Sequence, residues 1–484
     1  MKRKIVITLL ISLLLFLFSC TADTGNDMNN TVNNENSGEL MQQNDEENDE
    51  TQKKEELSDH LPDMDFEGYN FRILMHFEDE GWYAEEEIGE PLNDAVYLRI
   101  KIVEDRFNVN ISLVEMPGWG PLGVKSILAG DDAFDILASH GIIAYQYVGR
   151  NVVSDWISNM PYNDLNAVWW NQTVVNEHSF FGKLYGVTGD ISYSALHNTF
   201  CLYFNKNIFQ DLGIEYPYND VINGKWTLDK FMSVVREGTA DLNGDGAITP
   251  DADRYGLTVN NKWAFPITVL YIGGDKIIKK DAGGLPVLSV FNERTVDIYD
   301  KFFSMLSDKI AHLEVFESPD ELFMKGRALF ADEGMKGAVR FRAMEDEIGI
   351  VPMPKYNEQT PKYYSLMEAG TEIVTVPITT ADYNRTSIIV EALAAEGYKK
   401  ITPTYYELVL KTKLARDDES AGMLDYIRDG MVVDYGYIND PLTGSFSLLG
   451  ANLCDSKDRN FASFYEKNES KIQKNIEKFI EDNK

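Results

Sequence analysis

Apolar and polar positions change period along the chain in a way that marks most of its elements. Ile5 to Phe18 is an almost unbroken apolar stretch, interrupted only by Thr8 and Ser12. From Thr21 to about Asp65 apolar residues become sparse, and from Phe66 onward they recur with regular spacing. "FEGYNFRILMHF" (residues 66–77) reads as a strand, and Ala95, Val96, Leu98, Ile102, Val103 and Phe107 fall on one helical face within 93–107. "NVNISLVEM" alternates like a second strand, "VKSILAG" reads as a short helix, and "FDILASHG" as a third strand. Strand, helix, strand, helix, strand implies a parallel sheet with right-handed crossovers, and so an α/β body. Further on, Asn198–Phe204 is strand-like, and "NKNIFQDLGI" is a helix closed by Gly213. Thr227 is placed to cap the next helix. "ERTVDIYDKFFSMLSDKI" predicts a helix, "ELFMKGRALFAD" a helix running into a strand, and "EIGIVPMP" and "EIVTVPIT" two more strands. "RTSIIVEALAAEGYKK" and "PTYYELVLKTKLA" read as two helices, and the C-terminal residues 458–484 as a surface helix.

Length and composition narrow the classes. At 484 residues the chain exceeds one ordinary domain, and 44% hydrophobic with 25% charged residues is a globular balance. Acidic residues outnumber basic ones 78 to 45, a net charge of −33, which argues against nucleic acid as a partner. Three cysteines exclude a disulfide framework; Cys201 lies in an apolar strand-like run and Cys454 near the C-terminus, and both read as buried and inert.

The N-terminus sets the expected compartment. Lys2, Arg3 and Lys4 precede the apolar stretch, which at ~14 residues is short of the ~20 a membrane span needs. With Leu17 and Ser19 before it, Cys20 resembles the acylated cysteine of a bacterial lipoprotein signal. The resemblance implies a removed signal at 1–19 and a lipid anchor on Cys20. Residues 20–65 then form an acidic tether: it carries 14 acidic residues against two lysines and cannot bury a core.

Five further motifs carry a second resemblance. "GKLYGVTGDIS…LYFNKNIFQDLGI" (182–214), "KWTLDKF" (225–231), "FMKGRALFADEGM" (323–335), "GIVPMPKY" (349–356) and "TPTYYELVLKTKLARDDESAGMLDYI" (402–427) occur in this order. Together they resemble segments of the family-1 extracellular solute-binding proteins of ABC importers, of the clostridial type. Val187-Thr188-Gly189 stands where the family has Val-Pro, and Ala331-Asp332-Glu333-Gly334 where sugar binders often carry an aromatic. The resemblance implies a two-lobed, hinged α/β fold of the type II binding-protein kind, each lobe a mixed sheet flanked by helices. Lobe one is expected over 66–195 with about 370–415, and lobe two over 196–369 with about 416–484. It also implies a monomer that captures a solute between the lobes and hands it to permease subunits, without chemistry and without a catalytic cofactor.

The cleft candidates are Trp82, His140, Asp190, Tyr193, Trp263, Glu333 and Glu368. Ligands of open α/β sheets sit beyond the carboxyl ends of the strands, which points to His76, Glu78, Trp82, Ser139 and His140. Asp190 and Tyr193 lie at the expected crossover, and Glu333 and Glu368 match family positions near the cleft. An indole with carboxylates suits a sugar, whose ring face stacks while its hydroxyls donate to charged acceptors. The same residues suit a polyamine or peptide cation, and a ligand sensor or a surface glycan hydrolase are the other readings. Trp169 and Trp170 read as lobe packing instead. No nucleophile elbow, zinc motif or phosphate loop occurs.

A metal site is also expected. Asp241, Asn243 and Asp245 fall at positions 1, 3 and 5 of a calcium-type loop, with Gly246 at the sharp turn and the Ala247 carbonyl next. Ala252 occupies position 12, and Asp253, one residue on, is placed to close a structural Ca²⁺ site.

Overall fold

The computed structural model describes residues 58–483 apart from 76–80, 117, 119, 261, 315–319, 412–417, 445 and 458. Cys20, residues 20–57 of the expected tether, His76 and Glu78 lie outside the described residues. The tether's expected last residues are instead docked, with Asp59 paired to Arg106 and Asp65 accepting from Asn108 at 2.8 Å. Among the described residues no helix is long and apolar enough to cross a membrane.

Nine strands build the two large sheets among the described residues. In chain order they are β1 (Tyr69–Met75), β2 (Val109–Glu115), β3 (Ile136–His140), β4 (Phe200–Asn205), β5 (Tyr255–Val259), β6 (Ala311–Leu313), β7 (Ala328–Gly334), β8 (Ile348–Val351) and β9 (Glu372–Thr375). The first sheet has the order β9-β3-β1-β2. Both β2 and β3 run parallel to β1, as the strand–helix alternation predicts, and β9 returns antiparallel to β3. The second sheet has the order β8-β4-β7-β5-β6. There β4 is antiparallel to both β8 and β7, while β5 is parallel to β7 and β6. Both sheets are mixed and flanked by helices, so the α/β class holds.

The helices form where local chemistry stops and starts them. Helix α1 (Pro91–Phe107) opens with Glu90 accepting from the Asn93 amide and Pro91 in its first turn, and ends on Asn108 in the left-handed region. Its buried face, Ala95, Val96, Ile100, Val103 and Phe107, meets the first sheet and helix α2 (Tyr383–Lys411). Thr227 caps its helix through the Lys230 amide, and Gly213, at φ 67°, closes Lys206–Leu212.

Helix α2 differs from expectation. Pro403 predicts a break between two helices, yet one helix passes through it. Ile388, Ile389, Val390 and Leu393 before the proline and Ile401 and Tyr405 after it are all buried. A proline inside a helix costs about 3 kcal/mol, which burial on both sides offsets. The Thr404 hydroxyl also donates to the Lys400 carbonyl at 2.8 Å, one turn back.

The chain crosses between the sheets through residues 188–199 and returns through 367–371. On the way out, Val187 bridges Val374 and Gly189 bridges Trp170. A Cβ at Gly189 would stand 2.1 Å from the Trp169 carbonyl oxygen. Glycine at this departure from the family pattern is therefore a steric requirement of the crossing. Thr199 then bridges Met367 on the return. The C-terminal residues serve both halves. Phe461–Asn483 packs against Glu293–Ser307, while Asp440–Thr443 contacts Gly141–Val148 directly after β3.

Candidate functional site

Where the crossings pass, the carboxyl ends of β3, β5 and β7 converge on a cleft of about 610 Å³. This is within the usual range for a small-molecule site, ~300–1,000 Å³. His140 at the end of β3 and Ile142 just after it line one side, Asn198 of the outward crossing and Phe200 at the start of β4 another, and Glu368 and Gly370 come from the return. The second sheet side contributes Asn260, Trp263, Ala264, Glu333, Lys336 and Arg340; Tyr437, Ser447 and Leu448 come from the C-terminal region.

The cleft's second-sheet side is a fixed polar network. β7 is buried along its whole length, and its last residues are Asp332, Glu333 and Gly334 instead of the apolar residues such a strand calls for. Glu333 accepts from the Asn260 amide at 2.6 Å, from the Gly334 backbone amide at 2.7 Å and from Arg340. Arg340 also donates to Asp320, and Asn260 Nδ2 reaches Asp320 at 3.3 Å. Burial pushes the Asp320 carboxyl up to about 8 against the pull of Arg340, and burial raises Asp332 well above the carboxylate range. Burial would lower Arg340, but Asp320 and Glu333 raise it on balance.

The opposite rim is held as firmly. Glu368 accepts from the Gly370 amide at 2.6 Å and from the Tyr437 hydroxyl at 3.3 Å. Lys336 donates to the Asn198 side chain at 3.1 Å. His140 stands at the end of β3, where burial lowers its pKa and Glu368 opposes the shift, so its imidazole is neutral at pH 7. Trp263 is 45% exposed in this cleft, with the Lys262 ammonium 5.3 Å from its ring centre. Among the described residues it is the one indole that lines the cleft. Flat apolar area beside fixed acceptors and donors is what a polyhydroxylated ring requires.

The structure thus brings His140, Trp263, Glu333 and Glu368 together and places Trp82, Asp190 and Tyr193 elsewhere. Trp82 is fully buried, and its indole donates to Glu372, which also accepts from the Ser192 hydroxyl at 3.0 Å. Glu372 is the register partner of His140, so this indole braces the sheet beside the cleft and does not face into it. Tyr193 is buried and stacked on Tyr405 at 5.4 Å and 22°. Asp190 is drawn to the long helix, where its carboxylate accepts from Thr402; Gly397 leaves room for its carbonyl, which a Cβ there would meet at 1.9 Å. Ser139 is buried within β3. Asn260, Lys336, Arg340 and Tyr437 escaped the sequence reading. Asn260 sits one residue past an apolar strand, a position worth flagging, but Tyr437 carries no local signal.

The calcium-type loop is exposed from Asp241 to Gly246. Asp241 accepts from the Gly244 and Gly246 amides at 2.7 Å each, and Asp245 from the Ala247 amide at 2.9 Å. Asn243 accepts from the Asp245 amide and donates to its carboxylate, both at 2.9 Å. Asp253 is buried and ties the loop closed through the Leu242 and Thr249 amides at 2.9 and 2.8 Å. These amides hold its carboxyl below the usual range. Among the described residues no group of three or more His, Cys, Asp or Glu is placed to hold a metal ion.

Solved structures share this fold at low identity. An ABC substrate-binding protein from Listeria monocytogenes in complex with cycloalternan superposes with a TM-score of 0.54 at 14% identity, covering 85% of this chain and 99% of that one. The maltose/maltodextrin-binding domain MalE from Bdellovibrio bacteriovorus, bound to maltotriose, gives 0.52 at 15% identity over 85% and 100%. UgpB from Mycobacterium tuberculosis, in complex with glycerophosphocholine, gives 0.55 at 13% identity over 85% and 99%. The two-lobed fold of these binding proteins is therefore the fold of this chain. No family model and no curated protein matches the sequence.

Proposed function

We propose that this chain is the lipid-anchored, extracytoplasmic substrate-binding protein of an ABC importer, and that it captures a sugar or oligosaccharide in the cleft beside Trp263. The observation that carries the reading is the pairing of a half-exposed indole with carboxylates whose positions are already fixed: Glu333 by Asn260, Arg340 and the Gly334 amide, and Glu368 by Tyr437 and the Gly370 amide. Preset acceptors spare the ligand the ordering cost that loose side chains would add. The lobes, about 66–195 with 370–415 and about 196–369 with 416–484, then close on the solute and the closed form docks on permease subunits. Cys20 supplies the anchor and the acidic stretch from residue 21 to about 58 the reach.

Binding without turnover is the chemistry this arrangement supports. Burial keeps His140 neutral, and the Glu333 carboxylate is tied to Asn260 and Arg340 as a fixed hydrogen-bond acceptor. The Asp241 loop is proposed to take a structural Ca²⁺, with oxygens from Asp241, Asn243, Asp245, the Ala247 carbonyl and Asp253. Its support is the 1-3-5 spacing and the glycine at position 6, at φ 82°.

The test is a thermal-shift screen of the purified chain against oligosaccharides, polyamines and peptides, with product analysis of every hit. A rise in Tm with an oligosaccharide and no released product supports the proposal. A response to polyamines alone replaces the sugar with a cation, and released monosaccharide makes the chain a hydrolase.

A further inference from the structure

A second cavity, of about 500 Å³, shares no lining residue with the cleft. It lies against the outward crossing, where that segment meets the long helix α2. The crossing contributes Asp190 and Ala195, α2 contributes Tyr398 and Tyr406, and the segment just before Tyr363 and the end of Asp418–Asp429 contribute Lys362 and Arg428. The cleft's function uses none of these residues.

Charge in this cavity varies with depth, and the mouth carries Lys362 and Arg428 against the Asp429 carboxylate. Asp190 lies inside, half-buried, with Thr402 as its partner on α2. Burial raises its carboxyl to about 6, against the Thr402 hydrogen bond and the pull of Arg428, so its charged form would be stabilised by an ammonium brought beside it. Lys362 and Arg428 are exposed at the mouth. Arg428 makes loose, exposed pairs with Asp425 at 3.5 Å and Asp429 at 3.9 Å, which contribute little, and hydrogen-bonds Tyr406, which holds its fork at the mouth where a carboxylate can meet it. Its guanidinium carbon lies 5.6 Å from the Tyr406 ring centre, so the mouth also has an aromatic wall. Tyr398 faces the same cavity from one turn before Thr402 on α2.

We propose that this cavity is a second ligand site, for a small zwitterion of the amino-acid class. The ammonium pairs with Asp190 inside, the carboxylate with Arg428 and Lys362 at the mouth, and the side chain lies between Tyr398 and Tyr406. A lone anion would meet Asp190, and a lone cation would have to pass Arg428 and Lys362, so neither half satisfies both ends.

Calorimetry and thermal shift on the full chain test this with the twenty common amino acids, and with ethylamine and acetate as half-ligands. The expected result is saturable 1:1 binding of at least one amino acid, no binding of either half-ligand, and at least a tenfold loss of affinity in Arg428→Gln and in Asp190→Asn. Arg428 is exposed, so its variant folds even if the buried one does not. Absence of binding by every amino acid overturns the proposal. So does binding that survives Arg428→Gln, or binding that is lost in Glu333→Gln but kept in Arg428→Gln, which would move the zwitterion to the cleft.

Discussion

Trp170 donates its indole N–H to Glu391 Oε2 at 3.0 Å, joining residues 221 positions apart. Trp169 donates to the other oxygen at 3.0 Å, and Asn163 Nδ2 and the Asp164 amide complete four donors on one buried carboxylate. The loop that supports the outward crossing is thereby pinned to α2. Glu391→Gln presents an NH₂ group to indole donors and is expected to destabilise the protein by about 1–3 kcal/mol, read as a fall in Tm. Burial also raises the Glu391 carboxyl to about 7, above its free value of 4.5. The folded state then holds the proton more tightly, so this stabilisation is full below pH 4.5 and is lost as pH rises through 7. The wild-type minus Glu391→Gln stability difference should shrink over that window; a difference that grows with pH rules out the raised value.

Removing the cleft's aromatic face should cost affinity without costing the fold. Trp263 is half-exposed, so Trp263→Ala is expected to leave Tm within 2–3 °C and to weaken sugar binding about fivefold to tenfold, near 1 kcal/mol. Glu333→Gln, which loses a charged acceptor, should weaken it about tenfold to a hundredfold. Calorimetry with the best oligosaccharide of the screen measures both, and unchanged affinity in both variants would place the ligand elsewhere.

The Asp241 loop makes a prediction independent of the cleft. Millimolar Ca²⁺ should give binding heat and raise Tm relative to EGTA, and Asp245→Ala should abolish both. Gly246 has φ 82°, so Gly246→Ala should cost about 1 kcal/mol even without calcium. No heat and no Tm change on Ca²⁺ addition leaves the loop as a hydrogen-bonded turn.

Gly189 tests the crossing. A methyl group there meets the Trp169 carbonyl oxygen at 2.1 Å, far inside contact distance. Gly189→Ala is expected to destabilise by about 1–3 kcal/mol and to loosen the crossing, seen as faster amide exchange of Thr188–Ser192. Wild-type stability and exchange would mean the strand tolerates displacement from Trp169.

Much of the framework was legible in the sequence, because hydrophobic period and capping residues act over a few positions. The order β1, α1, β2, β3, the Thr227 cap and the Gly213 stop all follow from neighbours close in the chain. Pro403 shows the limit: the local rule predicts a break, and burial of both flanks keeps one helix. The cleft divides the same way. His140, Glu333 and Glu368 could be singled out because strand ends and family motifs are sequence features, and Trp263 because it follows the Asp241 loop; the structure brings these four to one cavity. Trp82 was not separable from them, since only its long-range bond to Glu372 shows which way the indole turns. Asp190 is similar, because Gly397, more than two hundred residues on, is what seats it against the long helix. Arg340, Asn260 and Tyr437 join the site only when separate segments meet. The sequence by itself determined the alternation of elements, the acidic balance and the types of residue available for binding. Tertiary structure alone decided which of them share one cavity, because side-chain direction and burial are set by contacts between segments that the chain order does not specify.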